Sequence, residues 1–124
     1  MNGPCSCYTN RNGKGFWGDP LWTTMMVFAA TFKRTPENMQ SFRLFITSLT
    51  TLIPCDECKV NFKAKLTRYP VEDYMSSNEN LFFWVYLLRD LVNVHRMQKG
   101  DPMARPSPPF EQVKRKFWTA LGIR

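Results

Sequence analysis

The residues most able to do chemistry in this chain are its four cysteines. They fall in two close pairs, Cys5-Ser6-Cys7 and Cys55-Asp56-Glu57-Cys58. Two thiols with two residues between them can meet in a disulfide that an incoming thiolate reopens. The second pair follows Pro54 and opens a helix-forming run, where unpaired backbone N–H groups and the helix dipole favour a thiolate. Asp56 and Glu57 oppose that effect, because negative charge beside the sulfurs disfavours another. The cysteines alone leave three chemistries open: an incidental reduced pair, a zinc site using all four sulfurs, and a redox disulfide. Zinc ordinarily takes close pairs on knuckle-like turns, whereas here Cys-x-Cys lies far from Cys-x-x-Cys. A thioredoxin-like redox protein needs a sheet with crossing helices.

The elements that must position these sulfurs read as helices. Residues 1–15, rich in Gly, Asn, Ser and Lys, are expected to form a flexible arm ahead of a folded domain over 16–124. Asp19-Pro20 resembles an N-cap followed by a first helical position, with Leu21, Met25, Phe28, Ala29 and Phe32 recurring at helical spacing behind it. Thr35-Pro36 repeats the same start. Phe42, Leu44, Phe45, Leu49 and Leu52 are the apolar positions of that second helix. A third helix runs from Cys55 through Phe62, Ala64 and Leu66 to about Tyr69, where Pro70 stops it. Ser76 and Glu79 have capping-box spacing ahead of the strongest helix, with Leu81, Trp84, Leu88, Leu91 and Val92 on its buried face and an end near Gln98. A proline-rich loop over 100–109 precedes a last short helix carrying Phe110, Val113, Phe117, Trp118 and Leu121. No segment alternates with period two. The expected fold is all-α: a bundle of four helices plus a short fifth.

Composition narrows the classes. A chain of 124 residues with 44% apolar and 15% aromatic content makes one packed domain. No apolar run approaches the roughly 20 residues that span a bilayer, and the first residues lack the apolar stretch of an export signal. The net charge of +7 raises nucleic-acid binding, but the cations are scattered, with Lys59, Lys63, Lys65 and Arg68 on one stretch and Lys114, Arg115 and Lys116 on another. A phosphate-bearing cofactor is another use for a few of them.

Taken in order, these pieces resemble an Erv/ALR-type sulfhydryl oxidase, a flavoenzyme family that moves electrons from dithiols through Cys-x-x-Cys to FAD and oxygen. Trp17-Gly18-Asp19-Pro20-Leu21-Trp22 is similar to the family's opening Trp-Gly-x-x-x-Trp, and Pro54-Cys55-Asp56-Glu57-Cys58 to its Pro-Cys-x-x-Cys. Phe83-Trp84 followed by Leu91-Val92-Asn93 resembles its Trp-x(4)-His-Asn-x-Val-Asn helix, and Phe110 and Trp118 its closing aromatic pair. The resemblance implies FAD at the mouth of the bundle, with Cys58 against the flavin ring and Cys55 attacked from outside. It makes Trp22, Trp84 and Trp118 candidate walls of the cofactor site and lays Val92, Asn93 and Lys99 along the cofactor. Trp17, Gly18, Met26, Arg89 and Asp90 complete the expected cofactor set, and no metal is expected.

Two family histidines are replaced here, by Met26 and, in the His-Asn step, by Arg89-Asp90. A guanidinium at 89 can stack on a ring and pair with phosphate; Met26 can pack on a ring but donates no hydrogen bond. His95, the one histidine, reads as a solvated residue late in its helix. The family also implies a second redox pair, a role that Cys5-Cys7 would fill as a shuttle; linking subunits and binding metal are the alternatives. A disulfide between residues so close is readily reduced. The resemblance further implies a homodimer through the first two helices, where Met25, Phe28, Phe45 and Leu49 look surplus. Its compact form resembles members from large DNA viruses, implying the host cytoplasm or virion as location and virion proteins or a thioredoxin-like carrier as partners. The rival reading is a helical scaffold that has kept the fold and lost the flavin.

Overall fold

A helix with a proline inside it opens the folded chain. In the computed structural model, which describes residues 13–124, α1 (Lys14–Thr31) is already under way at Asp19, and Pro20 lies within it. The expected start at Asp19-Pro20 is therefore too late, and residues 14 and 15 of the expected arm belong to the helix. Cys5 and Cys7 lie outside the described residues. Proline here forfeits one hydrogen bond, at a cost of about 3 kcal/mol. The early start offsets that by carrying Trp17 onto the core beside Leu21.

Thr35 caps α2 (Pro36–Leu52) by accepting the Asn38 N–H at 3.1 Å. Cys55 is the N-cap of α3 (Asp56–Arg68). Beyond Tyr69 a single 3-10 turn, Val71–Tyr74, leads into α4 (Asn78–Gln98). Its N-cap is Ser77, accepting the Asn80 N–H at 3.0 Å, rather than Ser76. The following loop leads to α5 (Phe110–Leu121), which ends at Gly122 in the left-handed region, φ 68°. Among the described residues there is no strand, and no helix is long and apolar enough to cross a membrane.

The core is centred on α4, where Leu81, Phe82, Trp84, Val85 and Leu88 are sealed from solvent. α1 packs most extensively against it, through Met25, Met26, Ala29 and Ala30. Asn78 locks the two together: its Nδ2 donates to the carbonyls of Ala30 and Phe32 at 3.2 and 2.9 Å. α5 lays Phe110, Phe117 and Trp118 around the Phe82 ring. Met25 and Leu49, expected to be surplus for a partner, are core residues of this chain. Leu44, Leu52 and Ala64, expected to be apolar-face positions, are exposed, whereas Ile46 is buried. Ile46 completes an i, i+3, i+4, i+7 stripe with Phe42, Phe45 and Leu49, which the wider apolar spread of α2 conceals.

A disulfide on the wall of an aromatic cavity

Cys55 and Cys58 are joined in a disulfide, Cα–Cα 5.2 Å. Cys55 Sγ also accepts the Cys58 N–H at 3.2 Å, so the sulfur occupies the capping position that Ser or Asp fills elsewhere. An anion forming there would be held by the start of α3. Cys55 is 2% exposed, whereas Cys58 lies on the wall of a cavity open to solvent.

Helical periodicity explains how the walls are built. Cys58, Asn61, Phe62 and Lys65 fall on one face of α3, and Val92, His95 and Arg96 on one face of α4. α1 contributes Trp17, Gly18, Leu21, Trp22 and Met25, and the end of α2 closes the space with Leu49 and Ile53. The walls are mainly apolar, with two indoles, the disulfide and nitrogen-bearing side chains. No carboxylate is among the described lining residues.

Of the residues expected to touch a cofactor, Trp17, Gly18, Trp22, Cys58 and Val92 line this cavity. The others lie elsewhere. Trp84 is fully buried in the core and donates Nε1–H to the Tyr69 carbonyl at 2.8 Å. Met26 is core, at 1% exposure. Arg89 pairs with Asp19 at 2.9 Å, Asn93 donates to Ser107 at 2.8 Å, and exposed Lys99 caps the end of α4. Asp90 faces Tyr86, whose hydroxyl is pushed up first by burial and then by that charge. Trp118 stands edge-on to Phe82, with Lys114 Nζ 5.5 Å from its ring centre.

His95, read from sequence as solvated, is half-buried and lines the cavity. Lys65 and Arg96 were not singled out by the motifs. Counting helical turns from Cys58 and from Val92 would have found them.

The fold and site define a helical protein with a Cys-x-x-Cys disulfide facing an aromatic cavity. A family model described as Erv1/Alr matches residues 19–117, so the chain belongs to the Erv1/Alr family. It is 30% identical over 86 residues to the probable FAD-linked sulfhydryl oxidase R368 of Acanthamoeba polyphaga mimivirus, covering 67% of this chain and 60% of that protein. It is 29% identical over 91 residues to the putative FAD-linked sulfhydryl oxidase 096R of Invertebrate iridescent virus 3, covering 72% of this chain and 61% of that one. The chain thus spans about three-fifths of the length of these curated relatives. No solved structure matches it significantly.

Proposed function

We propose that this protein is an FAD-linked sulfhydryl oxidase, which takes two electrons from a dithiol at Cys55–Cys58 and delivers them by way of FAD to oxygen. The observation that carries the reading is the position of Cys58, one sulfur of a disulfide at a helix start and also part of the wall of an aromatic cavity. The residues present fit a flavin dinucleotide. Trp17 and Trp22 offer flat apolar faces for a ring system, and Lys65 and Arg96 offer positive charge on a wall that no described carboxylate lines, Arg96 being backed by Asp101 from behind the lining. When bound, FAD supplies a two-electron acceptor that oxygen regenerates, with hydrogen peroxide as the product.

The chain's own part is thiol–disulfide exchange. A substrate thiolate bonds to Cys55 Sγ, the Cys55–Cys58 bond breaks, and Cys58 leaves as a thiolate in the first turn of α3. The second substrate thiol then attacks the mixed disulfide, and an oxidised substrate departs. Both cysteines are left reduced, and the two substrate protons pass to Cys55 or to solvent. Because Cys55 is 2% exposed, an incoming thiolate reaches it only when the corner between α2 and α3, residues 53–56, opens. Cys5 and Cys7 would relay electrons from a protein substrate to this disulfide. Replacing both would then spare turnover of a small dithiol and cripple turnover of a protein dithiol. Pairing of two copies through α1 and α2 is supported by Phe28 and Leu44, 45% and 58% exposed, and sedimentation as a monomer would refute it.

The test is an absorption spectrum of the purified protein before and after a dithiol is added. Flavin bands that bleach and recover in air are expected, with Cys58→Ser keeping the bands and losing the bleaching. A colourless protein that takes up no added FAD would refute the oxidase and leave a helical scaffold.

A further inference from the structure

The turn after α4 is built around a buried acid. Gly100, at φ 79°, reverses the chain so that the Asp101 N–H donates to the Arg96 carbonyl at 3.0 Å. The Asp101 carboxylate is 2% exposed. One oxygen accepts Arg96 Nε at 2.8 Å and the other accepts the Met103 N–H at 2.9 Å. A carboxylate engaged on both sides is an orienting group, and the side chain it orients is a wall residue of the cavity. With Nε given to Asp101, the terminal guanidinium nitrogens are the donors left for whatever enters.

Lys65 lines the same cavity from α3. Its ammonium makes no ion pair among the described residues, and burial alone pushes its pKa down. Asp101 compensates Arg96 from behind, but Lys65 is a cation on an apolar wall with no described carboxylate to pair with it, which is costly until an anion joins it. Lys65 is also two helical turns beyond Cys58, about 10 Å along α3. An elongated ligand with an uncharged flat end at the disulfide and an anionic part further along would satisfy both ends. Arg89, the cation that sequence offers for this task, is instead paired with Asp19, and neither residue lines the cavity.

We propose that Lys65 and Arg96 recognise the diphosphate of the flavin dinucleotide, with Asp101 as the positioning residue that orients Arg96. The inference rests on the flavin reading above and adds what makes the site select a dinucleotide over a bare flavin.

The experiment is calorimetric titration of the full chain, freed of flavin, with FAD, with riboflavin and with inorganic pyrophosphate. Lys65→Gln and Arg96→Gln are each expected to weaken FAD on the order of tenfold and to leave riboflavin unchanged. Asp101→Asn is expected to weaken FAD without touching it, and Asp101→Glu to recover part of the loss. Helix content by circular dichroism identifies an Asp101 variant that fails to fold; Lys65→Gln, at a half-buried helical position, then decides alone. Unchanged FAD affinity, or equal loss of FAD and riboflavin, would overturn the proposal while leaving the oxidase reading intact. A wild-type chain that binds neither flavin would overturn the oxidase reading. Pyrophosphate binding that depends on Lys65 and Arg96 would then still support an anion wall, and its absence would overturn that as well.

Discussion

Replacing Trp84 with phenylalanine separates a core residue from a cofactor wall. The indole is sealed from solvent, and its N–H is bonded to the carbonyl of Tyr69, the C-cap of α3, at 2.8 Å. This bond pins the α3 terminus, ahead of Pro70 and the 3-10 turn, onto the second turn of α4. Phenylalanine keeps an aromatic ring but removes the donor, leaving the part-buried carbonyl without its partner at a cost of about 1–3 kcal/mol. The smaller ring leaves unfilled volume worth about 1 kcal/mol more. The expected loss is therefore about 2–4 kcal/mol, a large share of the stability of a domain this size. Urea denaturation followed by circular dichroism should show the midpoint falling at constant slope. FAD affinity, measured under conditions where the variant remains folded, should stay within about twofold of wild type. A stability loss below about 1 kcal/mol would refute the structural role assigned to the Trp84–Tyr69 bond. A large fall in flavin affinity with stability retained would return Trp84 to the cofactor.

Asn78→Ala removes both donations from α4 to the end of α1 and should cost about 2 kcal/mol in the same denaturation assay. Asn78→Asp should cost more, because it sets negative charge against the carbonyls of Ala30 and Phe32. Arg89→Ala breaks a pair whose partner Asp19 has an 84% exposed side chain; it should change stability by less than about 1 kcal/mol and leave FAD binding unaltered in titration. Burial holds the Lys65 pKa below its ordinary value near 10.5 in the folded chain. The unfolded chain then binds more protons at this site, so its contribution to stability rises with pH through the range between the lowered value and the ordinary one. Lys65→Met should flatten that part of the stability–pH curve of the flavin-free protein, as read from denaturation midpoints across that range.

Much of the architecture is carried by local signals. The breaks at Pro54 and Pro70, the cap at Thr35, the end of α4 near Gln98 and the absence of strands among the described residues all follow from chain chemistry that needs no neighbour. The position of Cys55 and Cys58 at the start of α3, where a thiolate is favoured, is likewise set by a few adjacent residues. The start of α1 is different, because Asp19-Pro20 is a sound local signal that the burial of Trp17 overrides. The cavity is a product of packing. Which face of α4 turns toward α3, and hence that His95 and Arg96 line the space while Arg89 and Asn93 do not, depends on how four helices meet. The tryptophans are alike as residue types, so sequence cannot divide them. Helix packing places Trp17 and Trp22 against the cavity and Trp84 in the core. Sequence determined the helices and the disulfide they present; tertiary structure decided which side chains share its cavity, because contact between helices depends on rotation and crossing that no local pattern encodes.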